Sequence, residues 1–342
     1  MKIAIVNKPG SFSDRWIEYC KKNNIPYKEV NPYASDIVEQ VRDCDAFMWH
    51  FHHLSYKDAL FAKQLLFSIQ QSGKKVFPDF NSAWHFDDKV GQKYLLESIK
   101  APLIPSYVFY TKQDALKWIS QTSFPKVFKL RSGASASNVK LVHSKIEAKR
   151  LVKKAFGKGF KQSDSISNFK ERWRKYKSGQ SNFKDVLKGI VRIFIKDEYS
   201  KMHSPEKGYV YFQEFMPSNN YDTRLIVIGG KRAFGEKRFT RKNDFRASGS
   251  GVFGYDGIDE QIVKIGFHVA KSLKLQVVAF DFVYDKDNNP VIIEISYGFG
   301  TKGASNCPGY WTDDMQWHKE AHFDFCGWMI EEVIKEVCYD SK

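Results

Sequence analysis

Val277-Val-Ala-Phe-Asp-Phe-Val-Tyr284, then Asp285-Lys-Asp-Asn-Asn-Pro290, then Val291-Ile-Ile-Glu-Ile-Ser-Tyr297 is the stretch on which the rest of the chain turns. Two β-rich runs flank a polar turn, which reads as a hairpin with a six-residue connection. If Tyr284 pairs with Val291, Asp281 falls opposite Glu294 on one face of the ribbon. Side chains alternate along a strand, so Ser296 joins that face two residues after Glu294. Directly opposed carboxylates destabilise a ribbon by up to about 1 kcal/mol. A divalent cation between them removes the objection, so the hairpin is read as a metal site.

The bulk numbers bound what surrounds it. With 342 residues the chain is long enough for two or three packed units. A hydrophobic content of 42% and an aromatic content of 15% exclude a disordered chain. No apolar run approaches the roughly 20 residues needed to span a bilayer. Met1-Lys-Ile-Ala-Ile-Val enters a strand directly, without a signal peptide's apolar core and cleavage site, so the expectation is a soluble, cytoplasmic protein. Five scattered cysteines without a CxxC pair read as free thiols in a reducing compartment. The net charge of +15 favours an anionic partner.

From residue 1 to about 80, short strands alternate with amphipathic helical runs, which predicts an α/β unit with a doubly wound parallel sheet. Ligands bind beyond the carboxyl ends of such strands, which brings the Pro9-Gly-Ser-Phe-Ser and His50-Phe-His-His-Leu-Ser55 loops forward. The first loop lacks a GxGxxG pattern. His50, His52 and His53 are read as strand-end packing or as substrate contacts, with a metal role disfavoured.

Further on, Phe124 to Arg131 reads as a strand, followed by the small-residue loop Ser132-Gly-Ala-Ser-Ala-Ser137 and a second strand from Asn138. Backbone N–H groups of such a loop can approach a phosphate, with Lys129 supplying charge. Ordinary hairpins use the same residues. Between Lys153 and Lys207, fifteen Lys or Arg stand against six Asp or Glu, interleaved with aromatic residues. This basic insertion is either a solvated surface, a lid over an anionic substrate or a docking patch; no nucleic-acid motif accompanies it. Gly229-Gly230 signals a two-residue hairpin between Asp222 to Ile228 and Lys231 to Phe239. The tail from Met315 to Val337 reads as one helix, with Phe323, Phe325, Trp328 and Met329 in the core.

In order along the chain, Asp88-Lys89, Lys129 before a small-residue loop, Gln213-Glu-Phe-Met216, Asp222-x-Arg224, Arg238, Asp244-Phe-Arg246, Asp281 and Glu294-x-Ser296 resemble the ATP-grasp superfamily of ligases. The likeness is to the branch of ribosomal-protein glutamate ligases and D-alanine–D-alanine ligases. It implies an N-terminal doubly wound sheet followed by two α+β subdomains that clasp ATP. The boundaries expected are 1–85, a lid subdomain over 86–212 with its insertion at about 156–207, and 213–342. The resemblance assigns Lys89 and Lys129 to the α- and β-phosphates, and the loop with Ser132, Gly133 and Ser135 to closure over them. Glu214, Phe215 and Met216 would read adenine, and Asp222 would take the ribose. Asp281, Glu294 and Ser296 would hold two magnesium ions, with manganese as the substitute metal. Arg238, Arg246 and Lys129 would be catalytic, and Arg224, Gly300, His52 and His53 would meet substrate. The family usually has Asn where this chain has Ser296, which places one metal ligand in question.

The activity so implied joins a small-molecule or glycan carboxylate to an amine through an acyl phosphate. The acceptor would be anionic: an amino acid, a peptide or a uronic-acid sugar. The alternatives are a kinase of a polyol or sugar hydroxyl on the same scaffold, or a non-catalytic ATP-binding module. Nucleic acid is disfavoured as a partner, and a homodimer is left open.

Overall fold

The computed structural model describes residues 1–133, 138–161, 173, 176, 204–241 and 244–340. Most of the basic insertion, and Ser135 of the small-residue loop, lie outside the described residues.

Three sheets organise the chain. In the first, β1 (Ile3–Ile5), β2 (Tyr27–Glu29), β3 (Ala46–Met48) and β4 (Lys75–Phe77) run parallel in the order β2-β1-β3-β4. The connections are α1 (Phe12–Lys22), α2 (Ile37–Gln40) and α3 (Tyr56–Gln71). Ser11 caps α1 and Ser55 caps α3, each accepting a backbone N–H of the first turn. The strands are buried throughout at β1 and β3, as expected of a parallel sheet covered on both faces. The predicted α/β unit is the one observed.

The short α4 (Phe80–Ala83) and then α5 (Lys89–Ser98) lead into the second sheet. Asp88 caps α5 by accepting from Gly91 N at 2.9 Å, which fixes Lys89 in the first turn. The sheet holds β5 (Ser106–Phe109), β6 (Lys126–Lys129), β7 (Val139–Val142) and β8 (Val210–Glu214) in the order β5-β8-β6-β7. Two helices, α6 (Lys112–Gln121) and α7 (Lys145–Ala155), pack against it around Phe128, Val152 and Phe212.

The third sheet carries the opening hairpin. It comprises β9 (Tyr221–Ile228), β10 (Arg232–Phe239), β11 (Phe253–Gly254), β12 (Val277–Tyr284), β13 (Pro290–Ser296), β14 (Tyr310–Thr312) and β15 (Trp317–His318). The order is β13-β12-β9-β10-β14-β15, with β11 also on β10. α8 (Glu260–Ser272) covers one face through Ile262, Val263 and Phe267. The short α9 (Thr301–Ala304) follows the hairpin, and α10 (Phe325–Asp340) closes the chain against α1 and β4.

The hairpin differs from its sequence reading in one instructive way. Tyr284 pairs with Pro290 and not Val291, so the connection is five residues, Asp285 to Asn289. A β-bulge between Asp281 and Phe282 then takes up one extra residue on β13, and Asp281 still faces Glu294. The turn after β9 also holds one residue more than expected. Lys231 N bonds Ile228 O at 3.1 Å around Gly229 and Gly230, both at positive φ, but the strand pairing resumes at Arg232. The tail is a second correction. Residues 317–318 form β15, and the helix begins only at Phe325, because Trp311 and Trp317 pack with tilted rings, 4.3 Å between centres, across a hairpin that a continuous helix would break. Phe323, Phe325, Trp328 and Met329 are core residues as expected.

The N-terminal sheet and the third sheet share one core. Tyr297, fully buried one residue past β13, donates its hydroxyl to Phe51 O. Phe299 packs on Phe12 at 5.0 Å between ring centres. The hairpin's exit is thus clamped to the carboxyl edge of the first sheet. All five cysteines are free thiols, four of them buried. Among the described residues no helix is long and apolar enough to cross a membrane.

Gly266 tests the packing of α8 on β9. A methyl there would stand 2.2 Å from Leu225 Cδ2. Although alanine is the better helix former, Gly266→Ala is expected to destabilise the fold by about 1–3 kcal/mol through overpacking. A fall in the urea midpoint at unchanged slope checks it.

Candidate active site

A cavity of about 700 Å³ lies where the three sheets converge. Lys89, Lys129, Gly133, Glu214, Phe215, Met216, Asp222, Arg224, Arg238, Arg246, Asp281, Glu294, Ser296, Gly300, His52 and His53 all line it. These residues span most of the sequence, and the fold brings them to one place. Ser132 is the described exception. It is buried beside the cavity with its hydroxyl bonded to Glu206.

The charged wall is built by strand register. Glu294 of β13 faces Asp281 of β12, Asp281 faces Arg224 of β9, and Arg224 faces Glu236 of β10. One step along, Asp222 faces Arg238. Cross-strand partners share a face, so these side chains form two adjacent charged rows. Arg224 grips Asp281 with two bonds of 2.8 and 3.0 Å. Arg238 grips Asp222 at 2.6 and 2.7 Å and also reaches Asp281 Oδ2 at 2.7 Å. Bidentate guanidinium–carboxylate pairs of this kind are short and directional.

Burial and pairing contend at each group. Burial opposes the charge of Asp281, but Arg224 and Arg238 together hold its carboxyl well below the usual carboxylate range. Burial prevails at Asp222 and raises it despite Arg238. Arg238 itself is held above its ordinary value, since Asp281 and Asp222 outweigh its burial. The repulsion expected between Asp281 and Glu294 is therefore met here by protein cations. Arg224 and Arg238 neutralise the first, and Lys89 Nζ lies 3.1 Å from Glu294.

The two lysines differ. Burial works against the charge on Lys89, but Glu294 and Asp87 raise its pKa overall. Lys89 Nζ also donates to Gly133 O at 2.8 Å, and its backbone N bonds Arg131 O, so α5 holds the start of the small-residue loop. Lys129, at the end of β6, is 7% exposed and has no hydrogen-bond or ion-pair partner among the described residues. Burial pushes its pKa down to about 8. An almost buried ammonium that lines a cavity and is bonded to no carboxylate among the described residues is costly to keep charged.

At the loop, backbone N–H groups of Arg131 and Ser132 donate to Glu206 and that of Gly133 to Asp87. Successive N–H groups directed at carboxylates form the kind of cradle that takes phosphate oxygens. Burial raises the Asp87 carboxyl to about 6.

At the opposite wall, β8 ends at Glu214, whose side chain is paired with Lys126 at 2.7 Å and accepts from Tyr107 OH at 3.2 Å. Ile104, Val127, Phe215, Met216 and Ile295 give the cavity an apolar lining, with Phe215 and Met216 directly after β8. Asp222 has both oxygens on Arg238, which leaves the ribose role assigned to it without a free carboxylate in this arrangement. Arg246 is paired in turn with Asp244, at 2.6 Å. Ser296 donates to Gly298 O at 2.6 Å, which directs its hydroxyl proton away and leaves its lone pairs.

Sequence reasoning missed several residues of this site. Glu236 is 2% exposed, one of its oxygens has no hydrogen-bond partner, and burial raises it to about 7. Asp87 and Glu206 were missed too, while Lys126, read as the substitute for Lys129 at the phosphates, is instead paired with Glu214. The alternation of β10 placed Glu236 on the face of Phe234 and Arg238, which was a usable signal. Glu206 sits in a basic run and had none.

Two carboxylates set opposite one another on a cavity wall suit a hard divalent cation. Among the described residues, no three His, Cys, Asp or Glu side chains gather as a protein-only metal cage. The donor set therefore fits an ion that takes its other ligands from a phosphate group and water.

Residues 188–310 match a family model described as a RimK-like ATP-grasp domain. The alpha-aminoadipate–LysW ligase LysX of Saccharolobus solfataricus is 22% identical over 286 residues, which cover 82% of this chain and 86% of that protein. Among solved structures, a RimK domain ATP-grasp protein from Sphaerobacter thermophilus superposes with a TM-score of 0.56 at 15% identity, covering 98% of this chain and 100% of that one. The D-alanine–D-alanine ligase of Bacillus anthracis gives 0.57 at 14% identity, covering 99% and 98%. Sheet order, the shared cavity and these likenesses agree: the chain has the ATP-grasp fold, and its residues 188–310 are similar to a RimK-like ATP-grasp domain.

Proposed function

We propose that the chain is an ATP-dependent carboxylate–amine ligase that works through an acyl phosphate. The observation that carries this reading is one cavity lined by an apolar slot beside the end of β8, by a buried lysine with no hydrogen-bond or ion-pair partner among the described residues, and by paired carboxylates with arginines. Adenine fits the slot beside Glu214, Phe215 and Met216, whose backbone offers donor and acceptor at fixed spacing. Lys129, Lys89 and the N–H groups at Gly133 receive the phosphates. Asp281 and Glu294 would hold magnesium, which supplies charge neutralisation on the phosphates when bound.

In the first step a substrate carboxylate oxygen attacks the γ-phosphorus, the bond to the β,γ-bridging oxygen breaks, and ADP leaves. In the second an amine attacks the acyl carbon, phosphate leaves, and the amine gives up a proton. The chain's part is positioning and charge. Arg238 stands at the junction of Asp222 and Asp281, where it can transfer part of its donor capacity to the phosphoryl oxygens. Arg224 holds Asp281 in register, and Arg246 faces the same space. Among the groups at the charged wall, the arginines, lysines and carboxylates suffice without a protein nucleophile.

ADP release measured over carboxylates crossed with amines tests the reading. Release that needs both partners is expected. Release with a polyol alone, leaving a stable phosphate ester, would replace it with the kinase reading, and tight ATP binding without any turnover would point to a binding module. Glu294→Gln is expected to lower turnover by ~10²-fold or more while near-ultraviolet circular dichroism stays native. Normal turnover in that variant would remove the metal role.

Lys129 gives a pH test with a definite sign. Its ammonium titrates at about 8 in the free protein. Phosphate binding favours the charged form, so ATP affinity is full below that pH and falls as pH rises through it. Lys129→Arg, charged throughout, is expected to flatten the rise in the KM for ATP. An unchanged profile would exclude Lys129 from phosphate contact.

A further inference from the structure

We propose that the cavity end built by Lys8, His50 and His52 binds a second carboxylate of the substrate, remote from the one that is phosphorylated. The inference rests on the ligase reading and adds to it a substrate class, acids with two carboxylates.

These residues follow the carboxyl ends of neighbouring parallel strands, Lys8 after β1 and the histidines after β3. All three line the cavity together with Pro9, Ser11 and His53. The tautomers of two rings are set by the backbone. Phe12 N donates to His50 Nδ1 at 3.1 Å, and Leu54 N donates to His52 Nδ1 at 3.2 Å. A ring nitrogen that accepts carries no proton, so in each ring the hydrogen is on Nε2. Neither Nε2 has a hydrogen-bond partner among the described residues, and both rings open on the cavity. Two N–H donors therefore wait there for oxygen acceptors. His50 is further immobilised by stacking on Phe12 at 3.8 Å, and the backbone of Gly298 approaches its Nε2 without a side chain between.

Lys8 supplies the charge. Its nearest carboxylate is Asp58, 3.6 Å away and wholly buried. Asp58 is already saturated: one oxygen accepts from Ser55 Oγ at 2.7 Å and from Tyr33 OH, the other from His52 N at 2.7 Å. Asp58 thus fixes the loop and leaves most of the ammonium's donors free. An amine entering here would meet donors and no free acceptor. A carboxylate would meet three donors, one of them charged.

Burial keeps the rings neutral. It lowers His50 to about 3, aided by the charges of His52 and Lys8 against the opposing pull of Asp58, and lowers His52, with Lys8 adding to the effect and Asp58 opposing it. His53, also lowered to about 3 by burial, feels His52 and then Lys89, which puts it between this end and the phosphate-binding lysine.

Equilibrium binding reads the subsite without turnover. Dicarboxylates from succinate to suberate and their ω-monoamides are titrated into the full chain by calorimetry, with magnesium and a non-hydrolysable ATP analogue present. For the best-fitting length, the diacid is expected to bind at least about tenfold tighter than its monoamide, as suits a charge-assisted bond. Lys8→Met and, separately, His52→Phe should reduce that ratio below about threefold with the affinity for the analogue unchanged. Equal binding of diacid and monoamide by the unaltered chain at every length overturns the proposal, as does a preference that survives in both variants. A diacid preference with no ADP release from any carboxylate would leave the subsite standing and sink the ligase reading. ADP release that ignores the second carboxylate would do the reverse.

Discussion

Asp281 is the residue on which the architecture of the site depends. It is nearly buried on β12, one strand in from the edge of the third sheet, and held by two guanidiniums, Arg224 from the neighbouring strand and Arg238 from the strand beyond. A carboxylate so placed is expensive unless its partners are well aimed. The aiming comes from antiparallel register, because Asp281 faces Arg224 and Asp222 faces Arg238 directly across β9. Shifting β9 by one residue would turn Asp222 and Arg224 to the other face and leave Asp281 and Arg238 without them. The ion pairs are costly and the register is strict, and each makes the other necessary.

That row also determines where the rest of the cavity must be. The bulge on the hairpin carries Glu294 back into line with Asp281, and α5 brings Lys89 to Glu294. Lys89 in turn holds Gly133 and so the beginning of the small-residue loop. Past the hairpin, Tyr297 locks onto Phe51 and draws the carboxyl edge of the first sheet against the same space. The three sheets are thus joined by a few contacts that all converge on the site.

Lys129 and Lys89 show how placement divides like residues. One gains a carboxylate and a carbonyl and is held charged, while the other is enclosed with no bonded carboxylate among the described residues and becomes easier to neutralise. Glu236 follows the same logic with the sign reversed. It continues the charged row under α9, where Gly303 leaves it room, and burial pushes its carboxyl up to about 7. The chemistry of these groups is a property of their surroundings, and no motif carries it.

The sequence alone determined a good deal. Alternation of short strands and amphipathic helices gave the parallel first sheet, and hydrophobic runs broken by Gly, Asn and Asp gave the hairpins. The ordered charged residues marked a common site before any contact was known only through their resemblance to a family; Asp281 and Arg224 lie in mid-strand, where periodicity alone gives them no role. What sequence could not supply was pairing at single-residue resolution. The hairpin register was one residue off at Tyr284, and only the bulge returned Asp281 to Glu294; a bulge depends on packing over the whole sheet. The hairpin of β14 and β15 was read as helix because its Trp311–Trp317 packing is a contact between segments that local spacing does not encode. The tautomers of His50 and His52, the enclosure of Lys129 and the guanidinium grip on Asp281 likewise exist only between elements distant in sequence. Tertiary structure decided them because hydrogen bonds and desolvation act through space, while composition and periodicity act along the chain.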